Sequence, residues 1–357
     1  MPTVRVAASD LTRYVAAGLR AAGATEADAE CVAGALVASD VAGHASHGIL
    51  RAPAYLAAID AGSIDLRARP ELTGEDGATA RVDGHDGFGQ VAGRFAMEVA
   101  IRKAREHGVS SVALVRTTHV GRLGDYVAMA ADAGMVGLAF CTATSANGRV
   151  APFGSVQAVF GTNPLAAAIP SADGRTVLCD FATSAVAEGK LQIAVNKGQP
   201  VPEGWLLSPD GRPTTDPSDH YAGGPLLAFG GYKGSGLAIV TDLLGGVVAG
   251  KGTPALPGLV AGNGVLFIVI DIRRLTPLDE VLAGVAAHSG MIRNAAPAPG
   301  VDAVMVPGDP ERRAAARNER RGVPIDAATW RALTEAMASR GVSPPPCVAG
   351  PADPAGP

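Results

Sequence analysis

Arg116 to Tyr126 reads RTTHVGRLGDY, and the fold class follows from what flanks it. Just ahead lies Ser111 to Val115, SVALV, a short apolar run of the kind that forms a buried strand. Asp125 then stands where an N-cap belongs, before the Ala-rich run Tyr126 to Ala133, and Gly134 is placed to stop that helix. Val136 to Cys141 is again apolar and strand-like. Strand, loop, helix, strand is an α/β plan, and it leaves His119 on a loop at the carboxyl end of a strand, the edge where such sheets bind ligands. Gly121 and Gly124 let that loop turn sharply and approach a ligand closely. A lone loop histidine is as readily explained by solvent, so the weight falls on its company elsewhere in the chain.

Bulk properties exclude several classes of function. At 357 residues and 47% hydrophobic content the chain can bury a large core and form two or more domains. Thirty basic against 34 acidic residues, with no long run of one sign and few aromatics, lacks the footprint of a nucleic-acid binder. Cys31, Cys141, Cys179 and Cys347 are far apart and form neither CxxC pairs nor a Cys/His cluster, which argues against a disulfide scaffold or a structural metal site and fits a reducing, cytoplasmic setting. The N-terminus lacks the apolar core of a signal peptide, and the other apolar stretches are broken before they reach spanning length, so no membrane role is expected.

The chain opens with helical patterns, Leu11 to Ala22 behind Ala8-Ser9-Asp10 and Ala27 to Ser39 behind Thr25. Asp40 to Gly48, DVAGHASHG, interrupts them, and Ile49 to Ala61 resumes the helical spacing. Ser46, His47, Arg51 and Tyr55 then fall at steps of one, four and four, as on one helical face. This series reads either as a site or as a solvated arginine beside a packed turn histidine. His44 and His47 without an acidic partner make a poor metal site. Asp65 to Gly77 is polar and punctuated, like a connection into a second domain.

Gly87-Phe-Gly-Gln-Val-Ala92 fits the GxGxxG/A dinucleotide pattern and leads into an amphipathic helix ending at Gly108. The strand before it, Ala78 to Val82, alternates polar with apolar residues, whereas the first strand of a doubly wound sheet is apolar on both faces, so the pattern is read here as coincidence. Further on, Val177 to Cys179 runs into Asp180-Phe-Ala-Thr-Ser184, a strand-end acid able to accept from ribose hydroxyls, with backbone N–H groups suited to phosphate; Asp180 would equally serve as the N-cap of a helix beginning near Ala185. Gly198 to Gly224 is a long Pro- and Gly-rich loop. Gly230-Gly-Tyr-Lys-Gly-Ser-Gly236, ahead of an apolar helix from Leu237 to Val248, departs from the P-loop, yet Lys233 at a Gly-rich helix entry suits an anion as well as it suits a plain turn. Val265 to Ile270, VLFIVI, is the clearest buried strand. A charged helix through Glu311 to Arg321 and a last one, Ala327 to Arg340, precede a Pro- and Ala-rich tail.

Ser46-His47-Gly48 with Arg51 and Tyr55, His119-x-Gly121 with Gly124 and Tyr126, Gly161-Thr-Asn-Pro164, Asp180-x-Ala-Thr-Ser184, Gly189-Lys190, Pro213-Thr-Thr-Asp-Pro217 and Gly231-Tyr-Lys-Gly234 occur in one order. That set resembles the malate/L-lactate dehydrogenase family, which is unrelated to the Rossmann-fold lactate and malate dehydrogenases and includes ureidoglycolate, sulfolactate and diketogulonate dehydrogenases and a cyclic-imine carboxylate reductase. The resemblance extends to about Gly341. It implies an α/β (α+β) fold: a non-Rossmann NAD(P)-binding domain with a mixed sheet over residues 76–309, a helical domain from residues 1–75 with about 310–341, and a disordered tail at 342–357. It further implies a homodimeric oxidoreductase that uses NADH or NADPH and no metal.

Carried over by resemblance, Ser46, Arg51 and Tyr55 bind the substrate, His47 and His119 are the catalytic histidines, and Asp180, Phe181, Ala182, Thr183, Lys233, Gly234 and Gly308 hold the cofactor. The implied substrate is a small 2-oxo acid or its L-2-hydroxy acid, with a pyrroline or piperideine 2-carboxylate as the alternative and a non-enzymatic small-molecule binding protein as the alternative of another class. Arg51 offers a fork for a carboxylate. Proton transfer goes to His119, with Asp125 near enough in sequence to help hold an imidazolium, and substrate orientation to His47, where the neighbouring guanidinium favours the neutral ring. Arg116 and Arg149 are the arginines available for a 2′-phosphate. Two departures stand out: Ala261-Gly262-Asn263 replaces an arginine of the ureidoglycolate enzymes, and Thr142 to Arg149 is longer than in some relatives.

Overall fold

The computed structural model describes residues 3–142 and 148–348 and divides into two compact units, Met1–Leu66 with Gly308–Pro357, and Arg67–Pro307. The second is organised around Asn263–Asp271, the strand built from VLFIVI, whose residues are buried along nearly its whole length. It pairs antiparallel with Val109–Thr117 on one side and Met135–Cys141 on the other. Those two strands therefore run in the same direction, with helix Gly124–Asp132 between them in sequence and the late strand inserted between them in space. The sheet has seven strands, completed by Glu71–Asp76 and Thr79–Asp83 at one end and Leu165–Ile169 and Val177–Phe181 at the other. Antiparallel pairing prevails; only Thr79–Asp83 and Val109–Thr117 lie parallel. The fold is thus mixed α/β and not doubly wound, as the alternating strand at Ala78 to Val82 suggested. Thr79–Asp83 buries every second residue, and polar Glu71–Asp76, expected as a mere connection, is its exposed edge neighbour, where charge guards an open ladder.

Helix Gly89–His107 packs its small apolar face, Ala92, Ala96, Ala100 and Ala104, into the same core as Val112, Leu114, Phe267 and Val269. Lys103, 1% exposed, lies within this helix and is paid for by two acceptors, Glu75 Oε1 at 2.9 Å and the Gly77 carbonyl at 2.7 Å, which tie the helix to the edge hairpin. The long loop after Gly198 is ordered by two-residue strands Leu206–Leu207, Pro213–Thr214 and Leu226–Leu227, the last of these parallel to Val150–Ala151. Helix Leu278–Arg293, not anticipated above, follows the central strand.

In the other unit, helices Ala8–Ala21 and Glu26–Val41 pack together, the second capped by Thr25, whose hydroxyl accepts the Asp28 N–H at 3.2 Å. The chain ends meet as a two-stranded ladder, Thr3–Val6 antiparallel to Val323–Asp326, too short to announce itself in sequence. Helices Asp309–Arg321 and Ala327–Ala338 complete the unit. In the expected tail, Val348 N–H donates to the Arg5 carbonyl at 2.8 Å, and residues 349–357 lie outside the described residues. Among the described residues no helix is long and apolar enough to cross a membrane, and no group of three or more His, Cys, Asp or Glu could hold a metal ion.

Candidate active site

His119 is half-buried on the loop between Val109–Thr117 and Gly124–Asp132, at the carboxyl end of the strand. Three groups hold the loop. The buried Asn263 side chain accepts the Val120 N–H at 3.0 Å and donates to the Thr142 carbonyl at 2.7 Å, while the Tyr126 hydroxyl donates to the Val120 carbonyl. Thr118 donates to the Gly87 carbonyl at 2.9 Å and accepts the Gly89 N–H at 3.1 Å. A Cβ on Gly89 would fall 2.3 Å from the His119 carbonyl oxygen, and one on Gly84 would fall 2.9 Å from that of Arg116. Gly89 of the dinucleotide-like pattern is therefore explained by close packing against the His119 loop, and Gly84, outside the pattern, by packing against the end of strand Val109–Thr117. The strand–helix–strand unit around them has a parallel pair, which makes the mimicry deeper than the sequence alone suggested.

The expectation that Asp125 caps the following helix is corrected. The helix begins at Gly124, Asp125 sits in its first turn beside Arg122 at 3.3 Å, and the Gly124 N–H is taken by Asp180 Oδ2 at 2.7 Å. Asp180 is thus a helix cap, but of a helix distant in sequence and not of the one near Ala185, which starts only at Glu188. This bond brings the strand-end acid alongside the His119 loop. From Asp180 the chain stays close to the Gly-rich turn: Phe181 meets Phe229 edge-on with centroids 5.6 Å apart, the Thr183 carbonyl accepts the Phe229 N–H at 3.1 Å, and Ala185 N–H donates to the Leu227 carbonyl at 2.7 Å. Thr183, fully buried, turns its hydroxyl to the Thr162 and Asn163 carbonyls at 2.9 and 3.0 Å, so its side chain braces the Gly-Thr-Asn-Pro turn.

Helix Tyr232–Asp242 starts five residues before the expected Leu237, and its first turn holds Gly234 against the Phe229 carbonyl, 1.7 Å from where a Cβ would be. Its N-cap, Gly231 at φ 63°, supplies no side-chain cap, and Lys233 is exposed in its first turn. Nothing within 4 Å would meet a Cβ on Gly230. A cavity of about 470 Å³ opens here, lined by Phe153, Ala185, Leu227, Phe229, Gly230 and Gly231 among others. The uncapped helix N–H groups and exposed Lys233 suit an anion such as a phosphate, while the cavity itself is lined mainly by apolar side chains and glycines. Arg116, by contrast, is engaged: its Nε donates to both Asp83 oxygens at 3.0 and 2.8 Å and its Nη2 meets His85 Nδ1 at 2.6 Å. Part of the Thr142 to Arg149 segment, residues 143–147, lies outside the described residues.

In the other unit the Ser46 to Tyr55 series is not one helical face. Gly48, at φ −87° and ψ −155°, separates two short 3₁₀ turns, Ala45–His47 and Ile49–Arg51, and Tyr55 follows on helix Ala52–Asp60. Three of the four residues still converge. Arg51 Nε donates to the Ser46 carbonyl at 2.7 Å, and the Ser46 hydroxyl lies 3.1 Å from His47 Nδ1. The two Nη groups of Arg51 make no bond among the described residues, which leaves the fork end of the guanidinium available. Tyr55 is buried at 7% exposure. His44 pairs with Glu311 at 3.1 Å. Gly308, at φ 95°, is the N-cap of helix Asp309–Arg321, a left-handed position that favours glycine. The supporting roles of Asn263 and of Asp40, which the sequence reading names only within longer stretches, were not expected.

The chain matches the family model for malate/L-lactate dehydrogenase over residues 6–334. It is 40% identical to an L-lactate dehydrogenase of Cupriavidus necator over 93% of this chain and 97% of that protein. It belongs to this family. The cyclic-imine branch is also near, with 38% identity to a Δ1-pyrroline-2-carboxylate/Δ1-piperideine-2-carboxylate reductase of Pseudomonas aeruginosa over 76% of this chain and 82% of that one. The fold superposes on the sulfolactate dehydrogenase of Methanocaldococcus jannaschii with a TM-score of 0.86 at 32% identity, covering 96% and 98% of the two chains. The chain is accordingly a dehydrogenase with a nicotinamide cofactor.

Proposed function

We propose that this dehydrogenase interconverts a small 2-oxo acid and its L-2-hydroxy acid. The observation that carries the reading is Arg51: its Nε is fixed on the Ser46 carbonyl at 2.7 Å, beside His47, and its two Nη groups have no partner among the described residues. A guanidinium held in this way can take a carboxylate with both prongs and set the plane of the adjacent carbonyl. When bound, the nicotinamide supplies or receives the hydride. The alkoxide left at C2 needs a proton, and we assign its delivery to a ring nitrogen of His119, with Ser46 and His47 orienting the substrate oxygen. Asp180 to Thr183 and the Gly230 to Gly234 turn hold the cofactor, NADH or NADPH. Of the two arginines considered for a 2′-phosphate, Arg116 is occupied by Asp83 and His85, leaving exposed Arg149.

The homodimer and cytoplasmic setting belong to the same reading. Support for the first is the apolar surface of the helix after Gly231, where Tyr232 and Val248 are 64% exposed and Ile239, Val240, Leu243 and Val247 nearly half exposed. A panel of 2-oxo acids and cyclic imine carboxylates, assayed with NADH and NADPH, tests the function. Turnover of imines alone would transfer the chain to its second reading, a cyclic-imine carboxylate reductase, favoured by the similarity to the Pseudomonas aeruginosa reductase. No change in reduced-nicotinamide fluorescence with either cofactor would overturn both.

A further inference from the structure

We propose that Asp40 is a positioning residue, whose buried carboxyl group sets the turn that presents Ser46, His47 and Arg51. Asp40 occupies the last turn of helix Glu26–Val41 and is 7% exposed. Its Oδ2 accepts the Ile49 N–H at 2.7 Å, at the start of the second 3₁₀ turn. A Cβ on Gly48 would fall 2.0 Å from Asp40 Oδ1 and 2.2 Å from its Cγ, so the backbone between the two turns rests directly on the carboxyl group. On its other side the helix end is secured by Asn318, which donates to the Val41 carbonyl at 3.0 Å, and by the His44 N–H to Ser39 carbonyl bond at 2.8 Å.

Turns of three residues do not hold themselves in water, since nucleating helical structure fixes more dihedrals than it gains bonds. Something must define the angle at which the first turn hands over to the second, and the contact at Gly48 and Ile49 is where that happens. The group acts through its shape and the oxygen it offers the Ile49 N–H, which a neutral Asn would also supply. Here an ionisable group is kept where burial pushes its pKa up to about 7, only partly offset by the Ile49 N–H. That cost sits directly behind the arginine clamp. Arg51 closes the other side of the same loop through the Ser46 carbonyl, so a slip at Gly48 moves Ser46, His47 and Arg51 together.

This inference rests on the reading of Arg51 and His47 as substrate residues, and the experiment separates the two. Steady-state kinetics on the best substrate of the panel are compared for wild type, Asp40→Ala, Asp40→Asn and Arg51→Ala, with cofactor affinity read from reduced-nicotinamide fluorescence. Asp40→Ala is expected to lower kcat/KM by roughly 10- to 100-fold, the scale of a small misplacement of a clamp, chiefly through KM and with cofactor affinity unchanged. Asp40→Asn, which keeps an oxygen for the Ile49 N–H, recovers most of the loss. A folded Asp40→Ala protein with wild-type kcat/KM, beside an impaired Arg51→Ala, overturns the positioning role and leaves the substrate reading intact. A parallel loss of cofactor affinity also overturns it, as a general structural defect. An unimpaired Arg51→Ala removes the substrate reading and the positioning role with it. If Asp40→Ala does not fold, Gly48→Ala carries the test: the same KM-centred loss supports the role, and wild-type kinetics overturn it.

Discussion

Replacing Asn263 by alanine should loosen the His119 loop without touching any group that meets a ligand. The side chain is 4% exposed and makes two hydrogen bonds, to the Val120 N–H at 3.0 Å and the Thr142 carbonyl at 2.7 Å. Val120 and Thr142 are themselves 2% and 0% exposed, so water does not readily replace the amide. Each buried backbone group left unpaired costs about 1–3 kcal/mol, which puts Asn263→Ala at roughly 2–6 kcal/mol before any cavity is counted. The Tyr126 hydroxyl still holds the Val120 carbonyl and Thr118 still bonds to Gly87 and Gly89, so the loop stays attached and shifts between these two points. Urea unfolding measures the first effect and steady-state kinetics the second, where a fall in kcat of about 10-fold or more is expected from a displaced proton donor. Asn263→Asp should not rescue, because a carboxylate cannot donate to the Thr142 carbonyl and would be buried there. A variant within about 1 kcal/mol of wild-type stability and with unchanged kcat would refute the clamp.

Three further outcomes are expected. His119→Ala should lower kcat by roughly 10²-fold with little change in cofactor affinity, while His47→Ala mainly raises KM; a larger kcat loss and a vanished ionisation in the His47 variant would reverse the assignment. Gly89→Ala, whose Cβ would lie 2.3 Å from the His119 carbonyl oxygen, should destabilise by about 1–3 kcal/mol, whereas Gly284→Ala, mid-helix with nothing within 4 Å, should be neutral or stabilising; equal melting temperatures would contradict the close-packing account. Asp40 titrates at about 7 in the fold against 3.8 when free, so its neutral form contributes stability that is fully present below about pH 4 and is lost as pH rises through 7, at most about 4 kcal/mol. Stability of wild type relative to Asp40→Asn in urea unfolding should therefore fall between about pH 4 and 7 and level off above, and a difference independent of pH would show that the carboxyl group is not so displaced.

What could be read in the sequence was what local periodicity writes. The runs around His119, the late strand and the Thr25-capped helix stand where patterning places them. The ladder between Thr3–Val6 and Val323–Asp326 could not be read, because four residues carry too little alternation and the partner strand is at the far end of the chain. Helix Leu278–Arg293 was legible and was passed over: Leu278, Val281, Leu282 and Val285 fall at helical spacing and form its partly buried stripe. Family resemblance supplied the overall plan where periodicity was silent, and the superposition on sulfolactate dehydrogenase agrees with it.

The candidate site was legible in its residues and not in its connections, and the reason is the same at each point. Asp180 was recognised as a strand-end acid that could cap a helix, yet the helix it caps begins at Gly124, since a carboxylate finds whichever uncapped N–H the fold delivers. Asn263 was noticed only as the place where a relative's arginine is missing, and the structure makes it the link between the His119 loop, at the Val120 N–H, and the Thr142 carbonyl after strand Met135–Cys141. Gly89 looked like part of a phosphate-binding turn because close approach of backbone to backbone and of backbone to phosphate demand the same residue. In each case the chemistry of one residue is local, while its partner is chosen by sheet order. The strand inserted between Val109–Thr117 and Met135–Cys141 is what carries Asn263 to Val120, so the late position of VLFIVI in the chain determines how the His119 loop is held. Moving that strand to an edge would leave the motifs unchanged and the loop without its clamp.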